Sequence, residues 1–414
     1  MGGLRLKKRL RVVVSHLKDL LFDPEKLSIV GYVLLFIELV LNIFIIHRVN
    51  YTEIDWRAYM QEVEGVLNGT TDYVQLKGDT GPLVYPAGFV YIFSALYFFT
   101  NSGRDVRMAQ YVFAIFYLIM LHLVFHLYAK TRKTPPYVLI LMSASSYRIH
   151  SIFVLRLFND AVAMLILYVA LGLFIKKRWS MGCLMYSFAV SVKMNILLFA
   201  PALFFVLLNT GGYLHTFKNL TVCALVQLIP ALPFLIGNYE SYILRAFDLG
   251  RVFEYEWTVN YRCIPEWLFL SKSFHLVLLA LHVGVLLAFI PRFMRYCAIN
   301  RVQTDNGGSI YLLLPDQILF PMFVSNFIGI VFARSLHYQF YVWYYHSIPY
   351  ILWSLPITTL AKLLLWGLIE MSWNTYPSTV YSSCTLHACH LSILCVLWFC
   401  WPQKSRYVIK KKTA

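Results

Sequence analysis

The stretch Ser28-Ile-Val-Gly-Tyr-Val-Leu-Leu-Phe-Ile-Glu-Leu-Val-Leu-Asn-Ile-Phe-Ile-Ile46 carries one carboxylate and one amide in an otherwise apolar run. A helix of about 20 such residues crosses the ~30 Å hydrocarbon layer of a bilayer, so the stretch reads as a membrane crossing. Before it lies a basic segment, Arg5 to Arg11, separated from the apolar run by Asp23, Pro24 and Glu25. A cleavable signal peptide joins its basic and apolar parts directly, so none is expected. After it the chain turns polar at once: His47-Arg-Val-Asn50-Tyr-Thr-Glu-Ile-Asp55-Trp56.

Further apolar stretches follow at 83–100, 108–129, 135–147, 157–175, 180–192, 194–208, 219–237, 267–290, 310–332, 338–356, 357–370 and 385–401. Several are short or broken by proline, as expected where protein rather than lipid satisfies the freed backbone. Composition agrees. The 414 residues are 59% hydrophobic and 14% charged, with a mean hydropathy of +0.62, whereas a soluble domain carries roughly 25% charged residues. A water-soluble enzyme, a nucleic-acid-binding domain and a disordered chain are excluded. The expected fold class is an all-α polytopic membrane protein with roughly 11–13 transmembrane helices.

The net charge is +16. Lys and Arg are retained in cytosolic loops. The runs Lys130–Lys133, Lys176–Arg178, Arg292–Arg295 and Lys410–Lys412 all border apolar stretches. Residues 1–27 and 402–414 are therefore expected in the cytosol, around a single membrane domain at 28–401. Loops 47–82 and 238–266 are then lumenal, provided that 83–100, which opens Pro82-Leu-Val-Tyr-Pro86-Ala-Gly88, either does not fully cross or crosses together with a further segment that the hydropathy does not reveal. Lys411 and Lys412 stand four and three places from the C-terminus and fit a dilysine signal read by coat proteins for return to the endoplasmic reticulum. Sequons begin at Asn50, Asn68 and Asn219.

None of the 8 cysteines lies in a CxxC pair, and no disulfide framework is expected. Cys384, His387, Cys389 and His390 lack the spacing of a structural zinc site. There is no Walker motif, GxGxxG, zinc-peptidase motif or DxD, so neither a metal nor another cofactor is expected.

Loop 47–82 holds Glu53, Asp55, Glu62, Glu64, Asp72 and Asp79, and loop 238–266 holds Glu240, Asp248, Glu254, Glu256 and Glu266. These are 11 of the 20 carboxylates, and their concentration on one face suggests a polar site. At helical spacing Asp55, Tyr59 and Glu62 share a face, and Asp55 suits both an N-cap and a base. Arg148, His150, Arg156, Asn159 and Asp160 cluster between apolar segments. Lys193 and Asn195 interrupt another, and Arg334, His337, Tyr338 and Gln339 a third. Ionisable groups in membrane segments usually face a cavity or ligand. Converging cations, among them Lys193, Arg245 and Arg251, suit a phosphate. Arg245, Asp248, Arg251 and Glu254 recur every third residue, as one polar helix face does. Trp257, Trp267 and the aromatic run Phe340 to His346 fit an interfacial belt or a wall for sugar rings and an isoprenoid tail.

Ile54-Asp55-Trp56 with Ala58-Tyr-Met60, Gly78-Asp-Thr-Gly-Pro-Leu-Val-Tyr-Pro-Ala-Gly88, Arg156-Leu-Phe-Asn-Asp160, Ser335-Leu-His-Tyr-Gln-Phe-Tyr-Val-Trp-Tyr344 and Ser372-Trp-Asn-Thr-Tyr-Pro377 together resemble glycosyltransferase family 58. This family comprises the endoplasmic-reticulum α-1,3-mannosyltransferases that use dolichyl-phosphate mannose. The resemblance runs from about residue 25 to the C-terminus. It implies a GT-C fold with a lumenal site, and pentamannosyl-chitobiosyl diphosphodolichol as acceptor. Asp55 matches the catalytic base, and Arg334 and His337 match lipid-phosphate contacts. Tyr59, Glu62, Asn159, Asp160, Trp257, Tyr338 and Gln339 are candidate substrate contacts. Inversion from a β-linked phosphate donor needs one carboxylate base and a stabilised leaving group, not the paired carboxylates of a glycosidase. The alternatives are a lumenal transferase of glycolipid-anchor synthesis and a lipid-linked sugar transporter. A transporter is expected to show repeated halves, and the sequence has none.

Overall fold

Leu27–Arg48 forms one helix of 22 residues, about 33 Å long at 1.5 Å per residue. Its buried positions are Leu27, Gly31, Leu34, Glu38, Asn42 and Ile46, a single stripe three to four residues apart. Phe36, Ile37, Val40 and Phe44 on the other faces are exposed. The apolar side faces lipid and the polar residues face protein, as in a membrane bundle. The computed structural model describes residues 13–402 apart from 146, 249, 299 and 304–308. The basic N-terminal run and the dilysine tail lie outside the described residues.

Among the described residues, five helices are long and apolar enough to cross a membrane: Pro24–Arg48, Val106–Thr131, Met194–Ala246, Lys272–Cys297 and Val380–Phe399. The bent pair Tyr137–Ala144 and Tyr147–Leu155 makes a sixth, and four shorter apolar helices join them. Two small antiparallel hairpins, Lys77–Gly78 with Gly81–Pro82 and Asn300–Gln303 with Ser309–Leu312, hold the strands among the described residues. The expected separate segments 194–208 and 219–237 fall within one helical stretch, Met194–Ala246, whose α-helical part Ala200–Ala246 is broken at Gly212 and Asn238. Run straight, the 47 residues of that part would reach about 70 Å, more than twice the membrane. Gly212 has φ +68, which glycine adopts without strain, and there the helix kinks.

Contacts define two ends of the bundle. At one end Arg132 pairs with Glu25 at 3.1 Å, Lys133 with Asp316 at 3.1 Å, and Arg292 donates to the Trp398 carbonyl at 2.8 Å. Lys177 donates to the Leu313 carbonyl there too. Three expected cytosolic basic runs thus meet at the end where the first helix starts and the last one finishes. At the other end, His47 meets the Tyr111 hydroxyl at 2.7 Å, and Thr52 N–H donates to the Leu155 carbonyl at 3.0 Å.

The helix Ala87–Phe99 has 13 residues, about 20 Å. Trp56, at the start of the helix Trp56–Leu67, donates its indole N–H to the Gly103 carbonyl at 3.0 Å. Tyr97 donates to Glu64 at 3.0 Å. Because His47 already meets Tyr111 at this end, the chain makes no net crossing between residues 48 and 106. Segment 83–100 therefore does not span. From there an odd number of traverses brings Phe399 back to the basic end.

Candidate active site

Asp55 occupies the N-cap position of Trp56–Leu67, but its side chain makes no capping hydrogen bond. Glu53 does so instead, its Oε1 accepting from Arg57 N–H at 3.1 Å. The capping role considered for Asp55 is thus corrected, and its carboxylate is left free to turn inward. Asp55 Oδ2 lies 3.3 Å from the Tyr59 hydroxyl one helical turn on, and the Thr80 hydroxyl also bonds to it. Tyr59 is held by the rings of Tyr85, Phe89 and Phe93, with centroids 5.0–5.9 Å away. Its hydroxyl is also 3.4 Å from Asn159 Oδ1.

Asn159 and Asp160 open the buried helix Asn159–Ile175. Lys193 sits at the break between Trp179–Val192 and Met194–Phe199, where the interrupted backbone lets its side chain turn toward them. Its Nζ donates to Asn159 Oδ1 at 2.9 Å and Asp160 Oδ2 at 2.6 Å. Asp160 Oδ1 accepts from the Trp343 indole at 2.5 Å. One network therefore runs Asp55–Tyr59–Asn159–Lys193–Asp160–Trp343. This places the Lys193 ammonium on one carboxylate and one amide oxygen of the protein. It also makes Asn159 and Asp160 partners of Lys193.

Burial raises the Asp55 pKa, while the Lys193 charge and the Tyr59 and Thr80 hydroxyls pull it back down. The carboxyl stays above the ordinary range, which suits a base that must take a proton. Glu62, two turns on, is buried and its Oε2 has no partner among the described residues. Burial first, then the Asp55 charge, holds its carboxyl well up, and Arg251 opposes this.

On the far side of the network, Phe253 meets three of the residues expected at the phosphate. Arg334 lies 4.9 Å and Arg251 5.8 Å from its ring centroid, and the His337 ring is 5.1 Å away, edge-on. His337 stacks on Phe340, and Phe340 on Trp343 at 3.9 Å. This aromatic column connects the cations to Asp160. Burial, then the charges of Arg251 and Lys193, pushes the His337 pKa down to about 4. Its imidazole is neutral near pH 7 and its buried Nε2 has no partner among the described residues.

Four expected residues stand apart. Arg245 lies in the last turn of Ala200–Ala246, and its side chain makes no hydrogen bond or ion pair among the described residues. Its helix ends at Ala246, so Arg245, Asp248, Arg251 and Glu254 do not form the expected polar helix face. Trp257 is exposed and donates to Glu254 at 2.8 Å. The Tyr338 hydroxyl donates to the Thr375 carbonyl at 2.9 Å, and Arg148 lies over its ring at 4.5 Å. The Gln339 side chain makes no hydrogen bond among the described residues. No three His, Cys, Asp or Glu side chains converge on a possible metal position among them either. His390 bonds to the Tyr344 hydroxyl at 2.8 Å, while His387 packs on Tyr261.

A family model described as ALG3 protein matches residues 32–383, which include every residue of this network. The chain belongs to the ALG3 protein family. Its fold is that of a GT-C enzyme, all-α and polytopic. It is 53% identical to a human relative named Dol-P-Man:Man(5)GlcNAc(2)-PP-Dol alpha-1,3-mannosyltransferase, over 92% of this chain and 88% of that protein. A relative from Arabidopsis thaliana with the same name is 45% identical over 92% of this chain and 90% of that one. One from Drosophila melanogaster, named Dolichyl-P-Man:Man5GlcNAc2-PP-dolichol alpha-1,3-mannosyltransferase Alg3, is 46% identical over 92% and 88%. No solved structure matches.

Within this ALG3-family site, Thr80, Tyr85, Phe253 and Trp343 are not among the residues that sequence singles out for the site. Thr80 and Tyr85 lie in the stretch Gly78 to Gly88 and Trp343 in the motif after Ser335, so the motifs mark these three without giving their roles. Phe253 lies outside every quoted motif and carries no sequence signal.

Proposed function

We propose that this chain transfers mannose from dolichyl-phosphate mannose to Man5GlcNAc2-PP-dolichol, forming an α-1,3 linkage with inversion. The observation that carries the site assignment is the partly buried Asp55, held in a network with Lys193 and set across from Arg251, Arg334 and a neutral His337. In this reading Asp55 takes the proton of the acceptor 3-hydroxyl as that oxygen attacks the donor anomeric carbon. The bond from that carbon to the phosphate oxygen breaks, and dolichyl phosphate leaves with the electron pair. Arg334 and Arg251 stabilise its charge, and His337 donates a hydrogen bond from Nε2. Lys193 keeps Asp55 ionised. Glu62 and Tyr59 border the acceptor position. The reaction requires no metal, so turnover should persist in excess EDTA.

The site is assigned to the lumen of the endoplasmic reticulum and both termini to the cytosol. Supporting this, the basic runs meet at one end of the bundle and Asp55 lies at the other. Coat proteins reading Lys411 and Lys412 would retain the chain there. The test is transfer by detergent-purified protein from labelled dolichyl-phosphate mannose to the lipid-linked acceptor. Formation of an α-1,3-mannosylated product supports the proposal. Absence of transfer by folded protein that binds both lipids would remove it.

A further inference from the structure

Residues 258–263 form a strap between two parts of the site end. On one side the strap holds the segment that carries Arg334 and His337. Val259 N–H donates to the Leu336 carbonyl at 2.7 Å, Leu336 N–H donates to Asn260 Oδ1 at 2.8 Å, and Asn260 Nδ2 donates to the Ala333 carbonyl at 2.9 Å. On the other side it is tied to the start of Val380–Phe399. Ser378 donates to the Thr258 carbonyl at 2.7 Å, Ser383 to the Val259 carbonyl at 2.6 Å, and Arg262 N–H to Ser383 Oγ at 3.1 Å. Two further side chains of the strap continue this seam. The Tyr261 ring lies 4.8 Å from that of His387, and Cys263 and Cys384 each directly follow a partner of the 3.1 Å Arg262–Ser383 hydrogen bond, which brings the two cysteines to the same seam. Cys384 and His387, three apart, share one helix face.

We infer that Cys263 and Cys384 form a disulfide that staples the strap to the last helix. The inference rests on the lumenal assignment of this end, because a secretory lumen sustains disulfides and the cytosol does not. Cys384 is exposed and Cys263 partly so, which leaves them open to exchange. The oxidant is the disulfide of a lumenal dithiol–disulfide oxidoreductase. One cysteine thiolate attacks it to give a mixed disulfide, and the second displaces the oxidant's sulfur. One S–S bond forms and one breaks. Two electrons and two protons leave with the oxidant as its dithiol. The bond fixes the strap that sets Arg334 and His337 without touching either. Cys183 and Cys223 also lie side by side, the Cys223 thiol 3.5 Å from the Cys183 carbonyl. They sit on apolar helices away from the strap, so they serve as an internal control that stays reduced.

The test is peptide mapping by mass spectrometry of protein extracted from membranes in N-ethylmaleimide and digested without reductant. The expected result is a linked peptide pair containing Cys263 and Cys384, lost on reduction, with Cys183 and Cys223 alkylated after denaturation. Cys263→Ser, Cys384→Ser and the double variant should lower the thermal midpoint by the same amount, since each removes the same bond. Recovery of Cys263 and Cys384 alkylated without reductant, or linked to other cysteines, overturns the inference. If that unreduced protein still transfers mannose, the proposed function stands. A linked pair in folded protein that transfers none leaves the staple in place and removes the mannosyltransferase reading.

Discussion

The two ends of the bundle use the same residue types in opposite ways. At the basic end, charges are matched by protein: Lys133 by Asp316, Arg132 by Glu25, and Arg292 by the Trp398 carbonyl and ring, the latter 3.6 Å from the guanidinium. At the other end Glu62 Oε2 and His337 Nε2 are buried without partners among the described residues, and Arg251 is exposed. A buried polar atom left unpaired costs about 1–3 kcal/mol. The ion pairs at the basic end are therefore structural, and the unpaired carboxyl of Glu62 and imidazole of His337 at the other mark where a substrate supplies the missing partners. Within the site end the same contrast separates the fully bonded Asp160 from Asp55, which is only partly held.

The predictions sharpen that contrast. The largest effect belongs to Asp55→Asn, which keeps the shape and removes the basicity. Purified enzyme should lose roughly a hundredfold or more in turnover, the scale of general base catalysis, while still binding donor. Near-normal turnover would erase the distinction between Asp55 and its neighbours. Arg334→Ala removes a charge-assisted contact of about 1.5–3 kcal/mol, and should raise the Michaelis constant for the donor roughly tenfold to a hundredfold. An effect confined to the acceptor would move Arg334 away from the phosphate.

Lys193→Met tests electrostatics through pH. The Asp55 pKa is raised by burial and lowered by Lys193, so removing the ammonium raises it further. The acid limb of kcat/KM should move to higher pH, and the rate at a fixed pH on that limb falls about tenfold for each pH unit the limb moves. An unmoved limb with a raised donor Michaelis constant would return Lys193 to the phosphate. The smallest effect is expected at the basic end. Glu25→Gln breaks a pair whose side chains are 65% and 60% exposed, and should change stability by under ~1 kcal/mol with transfer unchanged.

Much of this contrast is legible in the sequence. Apolar runs and basic flanks locate the long helices, and the proline-bordered opening of 83–100 leads into a helix of only 13 residues. Asp55, Arg334 and His337 are found through motifs. Sequence reasoning fails where tertiary structure decides. Spacing of three suggests a helix through Arg245 to Glu254, but periodicity does not reveal that the helix stops at Ala246. Lys193 groups with the cations in sequence because its partner Asp160, 33 residues away, is joined to it only by the fold. Glu53 takes the cap expected of Asp55 because two acids two residues apart carry the same sequence signal.

Which membrane face each end occupies tests the division between them most directly. Asn68 is exposed just past Trp56–Leu67, and Lys130 is exposed in the last turn of Val106–Thr131. Asn68→Cys and Lys130→Cys are compared in sealed, right-side-out microsomes with a membrane-impermeant thiol reagent, each read against the unsubstituted protein. The expected result is immediate labelling at position 130, and labelling at position 68 only after the vesicles are permeabilised. Labelling at position 68 in intact vesicles would put Asp55 on the cytosolic face and contradict both the site assignment and the mannosyl-transfer mechanism built on it.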